Sequence, residues 1–174
     1  MGKCLAIESD QGQARTNIAL FTGDAQNVYR TYTTDVRILS GVGGEMNAGI
    51  LVNYYELSAS NIRYNVALLD LVNSTFGIYF FNGLSLVPVG SSVTLPGLRV
   101  GDWYRLTLTV RPASSMATTI SLSASVQGIT DPAISATINT GVGLSSWNTA
   151  GAGAGLFTRR SRARFSFWYI DLAP

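Results

Sequence analysis

The amino-acid sequence predicts an all-β fold, an antiparallel β-sandwich of two facing sheets with about 12 strands and little or no helix. Three observations predict it. Through Gly101–Val110, Tyr104, Leu106, Leu108 and Val110 take one parity and Trp103, Arg105, Thr107 and Thr109 the other, the two-residue period of a half-buried strand. The same beat recurs in short segments bounded by Gly, Asn, Ser and Pro turns, and no long stretch shows the 3.6-residue spacing of a helix. No linker, repeat or composition shift divides the chain, so residues 1–174 read as a single domain, long enough to bury a full core.

Leu5–Glu8 and Asn17–Phe21 open the series of strands. Val28–Leu39 follows, with Val28, Tyr32, Val36 and Ile38 on one parity, and Gly41, Gly43 and Gly44 make the next turn. In Ala48–Tyr55, strict alternation sets Ile50, Val52 and Tyr54 against Leu51, Asn53 and Tyr55. Ile62–Val72 is apolar on both faces in its second half, which marks a central strand covered on both sides. Phe76–Phe81 and Leu84–Val89 read as a hairpin turned by Asn82-Gly83, a strong hairpin signal. Val93–Leu95 is stopped by Pro96, and Trp103–Arg111 is cut off by Pro112, because proline cannot donate to a ladder. Thr118–Val126 sends Ile120, Leu122, Ala124 and Val126 one way and Thr119, Ser121, Ser123 and Ser125 the other, the pattern of a sheet with one wet polyhydroxyl face. Ile134–Ile138 pairs nearby. Gly141–Gly155 reads as a long loop around Trp147, and Leu156–Thr158 and Arg164–Leu172 close the chain.

Charged residues are 13% of the chain, about half the usual share. The surface is therefore built from Ser, Thr, Asn, Gln and Gly, and it loses little in desolvation when it meets another surface. That suits packing against neighbouring subunits or contact with a neutral polar ligand such as a sugar. The net charge of +2 is a weak field, with Lys3 the sole lysine among the basic residues; a dedicated nucleic-acid binder is more basic. Cys4 is the single cysteine, which excludes an intrachain disulfide. Residues Met1 to Glu8 lack the apolar core of a secretory signal, and no run reaches the length of a membrane span. With Met1 as the native start, folding in the cytoplasm of the producing cell is expected.

With the strands placed, the second half resembles the concanavalin A-like lectin/glucanase jelly roll, in particular its laminin-G-like and LamG-type relatives. The resemblance rests on Ala48–Tyr54, Ile62–Leu68, Gly101–Val110, the turn Val126-Gln127-Gly128, Ala154–Thr158 and the final Ala163–Leu172, and covers residues 46–172. These are packing motifs. They imply a jelly-roll fold with Trp103 and Trp168 in structural positions, and they do not assign chemistry.

The glucanase branch uses closely spaced carboxylates of the E-x-D-x-x-E kind, one as proton donor and one as nucleophile or base. Here the glutamates are Glu8, Glu45 and Glu56, and that spacing does not occur; Glu8 and Asp10 lie outside the matched region. The chain has no histidine, which removes Ser/His and Cys/His nucleophilic sites and His-dependent zinc sites. Calcium is the metal that oxygen ligands alone hold, and Asp24, Asp102 or Asp131 are the candidates. A turn Asp bonded to its own backbone accounts for each more simply, so no cofactor and no metal ligand is assigned.

Two features are candidates for binding. Trp147, in Ser145-Ser146-Trp147-Asn148-Thr149, has amide and hydroxyl neighbours in a glycine-rich loop. A flat apolar ring with hydrogen-bond partners is what sugar recognition needs; capping the core or a neighbouring subunit are the alternatives. The second is Arg159, Arg160, Arg162 and Arg164. On one strand, Arg160, Arg162 and Arg164 would share a face for an acidic polysaccharide, phosphate or partner carboxylates. A charged face that discourages edge aggregation is the alternative. Together these features lead to the expectation of a non-enzymatic subunit of a multi-chain particle, such as a phage or virus surface, decoration or tail protein. It would be located in the virion, with other subunits, homo-oligomer partners included, and glycans as partners. The alternative is a carbohydrate-binding lectin module of a cell-surface or secreted protein. Nucleic acid is disfavoured because the cluster has no aromatic interleaving.

Overall fold

The computed structural model describes residues 5–8, 16–21, 30–56, 58, 61–112, 119–143, 153–166 and 169–172. Among these, fourteen strands succeed one another without a helix. The first six are β1 (Leu5–Glu8), β2 (Thr16–Phe21), β3 (Arg30–Gly41), β4 (Asn47–Glu56), β5 (Ile62–Asp70) and β6 (Thr75–Phe81). Then come β7 (Leu86–Pro88), β8 (Val93–Thr94), β9 (Trp103–Pro112) and β10 (Thr119–Gly128). The last are β11 (Ser135–Gly143), β12 (Gly153–Arg159), β13 (Ser161–Phe165) and β14 (Tyr169–Leu172).

They form two seven-stranded antiparallel sheets. The first has the order β1-β13-β3-β9-β10-β11, with β14 also paired to β3; the second has the order β2-β12-β4-β5-β6-β7, with β8 paired to β6. Sequence neighbours therefore often fall in different sheets, and two partners of β3, β13 and β14, come from the far end of the chain. Between the sheets lies one continuous core. Val36, Ile38, Leu106, Leu108 and Ala124 of the first sheet meet Ile50, Ala67, Leu69, Phe76 and Leu156 of the second, all buried. Each of the Val, Ile, Leu and Phe side chains contributes about 1.5–3 kcal/mol by leaving water.

The alternation read from the sequence holds for β3, β9 and β10. Tyr32, Val36 and Ile38 face inward together, while Val28 lies outside the described residues. β5 sits between β4 and β6, and Tyr64 through Leu69 are all buried. Ala67 and Leu69 enter the core, while Tyr64, Val66 and Leu68 join Leu51 and Phe157 in a second apolar cluster on the far face of the second sheet.

Several expectations are corrected. The alternation across Ala48–Tyr55 breaks at Asn53, whose φ of 56° is left-handed. There the register shifts, so that Tyr55 pairs with Arg63 and Tyr54 joins the cluster of Leu51 instead of the side of Val52. A bulged residue re-aims its successors in this way. Gly141–Gly155 is not wholly loop, since β11 runs to Gly143 and β12 starts at Gly153. Arg164–Leu172 is not one strand: after Phe165, Ser166 N donates to Asp35 O at 3.0 Å, and β14 then pairs with a different stretch of β3. The hairpin of β6 and β7 forms, but its second strand is Leu86–Pro88 and Phe81 pairs with Leu86, so the turn includes Leu84 and Ser85, with Gly83 at φ 97° and Asn82 Oδ1 accepting from Leu84 N and Ser85 N at 3.0 Å each.

Candidate functional site

The inward parity of the first sheet is apolar, so its outward parity collects the polar half of each alternating strand. Register aligns these residues into rows. One row runs Tyr169, Thr33, Thr107, Ser125, Thr137 across β14, β3, β9, β10 and β11. Beside it runs Asp171, Thr31, Thr109, Ser123, Asn139. The threonines lock in pairs: Thr31 and Thr109 share a hydroxyl–hydroxyl bond of 2.9 Å, and Thr33 and Thr107 one of 3.3 Å. Each bonded hydroxyl keeps further donor or acceptor capacity for a ligand.

The first row ends on an aromatic ring. Tyr169 is 58% exposed while its neighbour Ile170 packs against the core, so the strand fixes the backbone and leaves the ring on the surface. Toward β11 the face is dimpled. A shallow hollow of about 440 Å³ opens among Arg111, Ser121, Ser123, Asn139 and Gly141, and a second of about 480 Å³ lies along Ser125, Gln127, Ser135 and Thr137. On the next row, Arg105 donates twice to Asp35, Nε to Oδ1 at 2.8 Å and Nη2 to Oδ2 at 3.1 Å. This bidentate pairing commits both carboxylate oxygens, and the hydrogen bond to Asp35 raises the Arg105 pKa, keeping the guanidinium charged.

The arginine run is divided by the fold, contrary to the shared face expected for Arg160, Arg162 and Arg164. Arg160 has a left-handed φ of 49° and turns the chain from β12 in the second sheet to β13 in the first. Arg160 Nη1 lies 3.1 Å from Glu45 Oε1. Arg159 Nε lies 3.1 Å from Glu45 Oε2. Glu45 thus ties both residues to the turn after β3, where Val42 N donates to Arg160 O at 2.8 Å. Arg162 and Arg164 do share a face, exposed on the outer side of β13 between the buried Ser161, Ala163 and Phe165. Trp147 and Asn148 lie outside the described residues, as do Trp168, Asp10 and Asp24. Trp103 is half-buried on the outer face of the first sheet, opposite Arg37. The hydroxyl rows were foreshadowed in the polar parities of Gly101–Val110 and Thr118–Val126; the contribution of Tyr169 was hidden by the strand break before it.

Of the calcium candidates, Asp102 and Asp131 lie among the described residues. Asp131 Oδ1 accepts from Ala133 N at 3.1 Å and its carbonyl accepts from Ile134 N at 3.1 Å, so it closes its own turn. Among the described residues no three His, Cys, Asp or Glu side chains converge.

No protein-family pattern matches the chain, and no curated protein sequence does. Solved structures do share its architecture. The carbohydrate-binding module CBM66 from Bacillus subtilis is 13% identical with a TM-score of 0.63, over 98% of this chain and 92% of that one. The basic winged bean lectin with Tn-antigen is 12% identical with a TM-score of 0.66, over 96% and 85%. An alginate lyase from Aplysia kurodai is 11% identical with a TM-score of 0.54, over 86% and 72%. At these identities the likeness establishes the fold, a lectin-like β-sandwich. The lectins and carbohydrate-binding modules lend no support to the expectation of a phage or virus subunit. Among the described residues no helix is long and apolar enough to cross a membrane.

Proposed function

We propose that this chain is a non-enzymatic glycan-binding module of the concanavalin A-like type, related to LamG-type domains and displayed outside the cell or at its surface. The observation that carries the reading is the row Tyr169, Thr33, Thr107, Ser125, Thr137. An exposed ring offers a flat apolar surface to the C–H face of a sugar, and hydroxyls beside it meet the sugar's own. The bidentate engagement of Asp35 by Arg105 favours binding over catalysis, because its oxygens are already used. Trp147 and Asn148, which lie outside the described residues, are the further ring and amide this reading assigns to the ligand, and the fold of the lectin and carbohydrate-binding-module neighbours supports it.

A glycan array probed with wild type, Tyr169→Ala and Trp147→Ala tests it. Wild type is expected to bind a defined set of glycans, and Tyr169→Ala to weaken that binding about tenfold, on the scale of one lost aromatic contact. A bound glycan insensitive to both substitutions places the site elsewhere, and an empty array removes the reading.

A further inference from the structure

We propose that Arg37 and Arg164, opposite each other on the outer face of the first sheet and flanked by Trp103, form an oxyanion site that takes a carboxylate or sulfate of an acidic polysaccharide. The inference rests on the glycan reading above and names its ligand class. Arg164 pairs in register with Arg37, and Arg37 with Trp103. All three point outward, since Ala163, Phe165, Val36, Ile38 and Tyr104 beside them are buried inward.

Like charges directly opposite on neighbouring strands destabilise a sheet, so this arrangement opposes folding unless an anion lies between them. No such anion comes from the described residues. Asp35, the carboxylate two positions along β3 from Arg37, is held bidentate by Arg105, and Arg37 Nε is buried without a hydrogen-bond partner. The Arg37 guanidinium also rests over Gly101, where an added Cβ would lie 3.8 Å from Nη2. Two guanidinium groups give planar forks of donors suited to carboxylate or sulfate oxygens, and the half-buried indole of Trp103 supplies an apolar surface for the sugar that carries the anion.

Affinity electrophoresis in gels containing dextran, dextran sulfate or alginate tests the site, with the two charged polymers separating sulfate from carboxylate. Wild type is expected to be retarded more by at least one charged polymer than by dextran, less so as salt rises. Arg37→Gln and Arg164→Gln should each weaken that retardation about tenfold, the scale of one charge-assisted hydrogen bond. Arg63→Gln, which removes the same charge from β5 in the second sheet, should leave it unchanged. Because the substitutions remove repulsion, their Tm should be equal to or above wild type. Equal loss in Arg63→Gln, no loss in the Arg37 and Arg164 variants, or a lowered Tm in them overturns the site. Retention by neutral glycans without preference for the charged polymers overturns the site while the glycan reading stands; retention by no polysaccharide overturns both.

Discussion

Arg160 is the single residue between β12 of the second sheet and β13 of the first, and it holds a backbone conformation that side chains seldom adopt. Its φ of 49° costs about 1 kcal/mol for a residue with a Cβ, offset by what its side chain and carbonyl secure: the ion pair to Glu45 and the bond from Val42 N. Glu45 also pairs with Arg159. All three side chains are roughly a third exposed, so solvent screening holds each pair to the lower part of its range. We expect Glu45→Gln to cost about 0.5–1 kcal/mol for both pairs together. Arg160→Asn should cost less than Glu45→Gln, because asparagine tolerates the left-handed region and the Arg159 pair survives. Urea unfolding of the two variants checks the ordering; a larger loss for Arg160→Asn would mean the side chain matters beyond its ion pair.

At the level of strands, two glycines of similar sequence surroundings have opposite roles. Gly155 lies within β12 between β2 and β4, where a Cβ would collide with the Ala19 carbonyl oxygen. Gly141, in the edge strand β11, has nothing within 4 Å of the same position. Gly155→Ala should therefore destabilise by about 2 kcal/mol or more through forced backbone displacement. Gly141→Ala should be neutral or stabilising by a few tenths of a kcal/mol through the unfolded chain. Thermal unfolding of the pair decides it, and similar losses would show that strand position does not govern the outcome. The strands themselves were legible where alternation is strict, as in Trp103–Arg111 and Thr118–Val126, because one wet face and one dry face write a two-residue period. What was not legible depends on partners distant in sequence. The bulge at Asn53 is a single left-handed residue that reverses the facing of Tyr54, and the break after Phe165 depends on the bond from Ser166 to Asp35. The candidate site shows the same limit. The serines of β10 announced a hydroxyl face, but only register brings Thr31 and Thr33 against Thr109 and Thr107. Arg37 and Arg164 likewise become neighbours only when β13 returns beside β3.

Over the whole molecule, the titrating groups set where stability resists pH and where it fails. The chain has no histidine, the side chain whose ordinary pKa lies nearest neutrality. Its tyrosines tell the opposite story. Burial is the main cause of raised pKa values at Tyr32, Tyr54, Tyr64, Tyr79 and Tyr104, because a phenolate loses its hydration there. Tyr54 is pushed up to about 12, helped by Glu56, whose Oε2 accepts its hydroxyl at 2.8 Å. Tyr64 is raised further, packed against Phe81 with ring centroids 4.9 Å apart. A pKa higher in the folded state than in the unfolded chain means that the folded protein holds its proton more tightly. The corresponding stability is fully present below the unfolded value of 10.0 and is lost as pH rises through the folded values. Unfolding free energies from urea titrations should therefore be nearly flat between about pH 6 and 9 and fall steeply above 10, with absorbance at 295 nm showing tyrosines that ionise only as the fold opens. Tyr54→Phe should remove part of the alkaline loss and leave the neutral plateau in place. A marked dependence near pH 7, or tyrosines that all ionise at the ordinary value while the protein stays folded, would show that the rings packed on the second sheet are open to water.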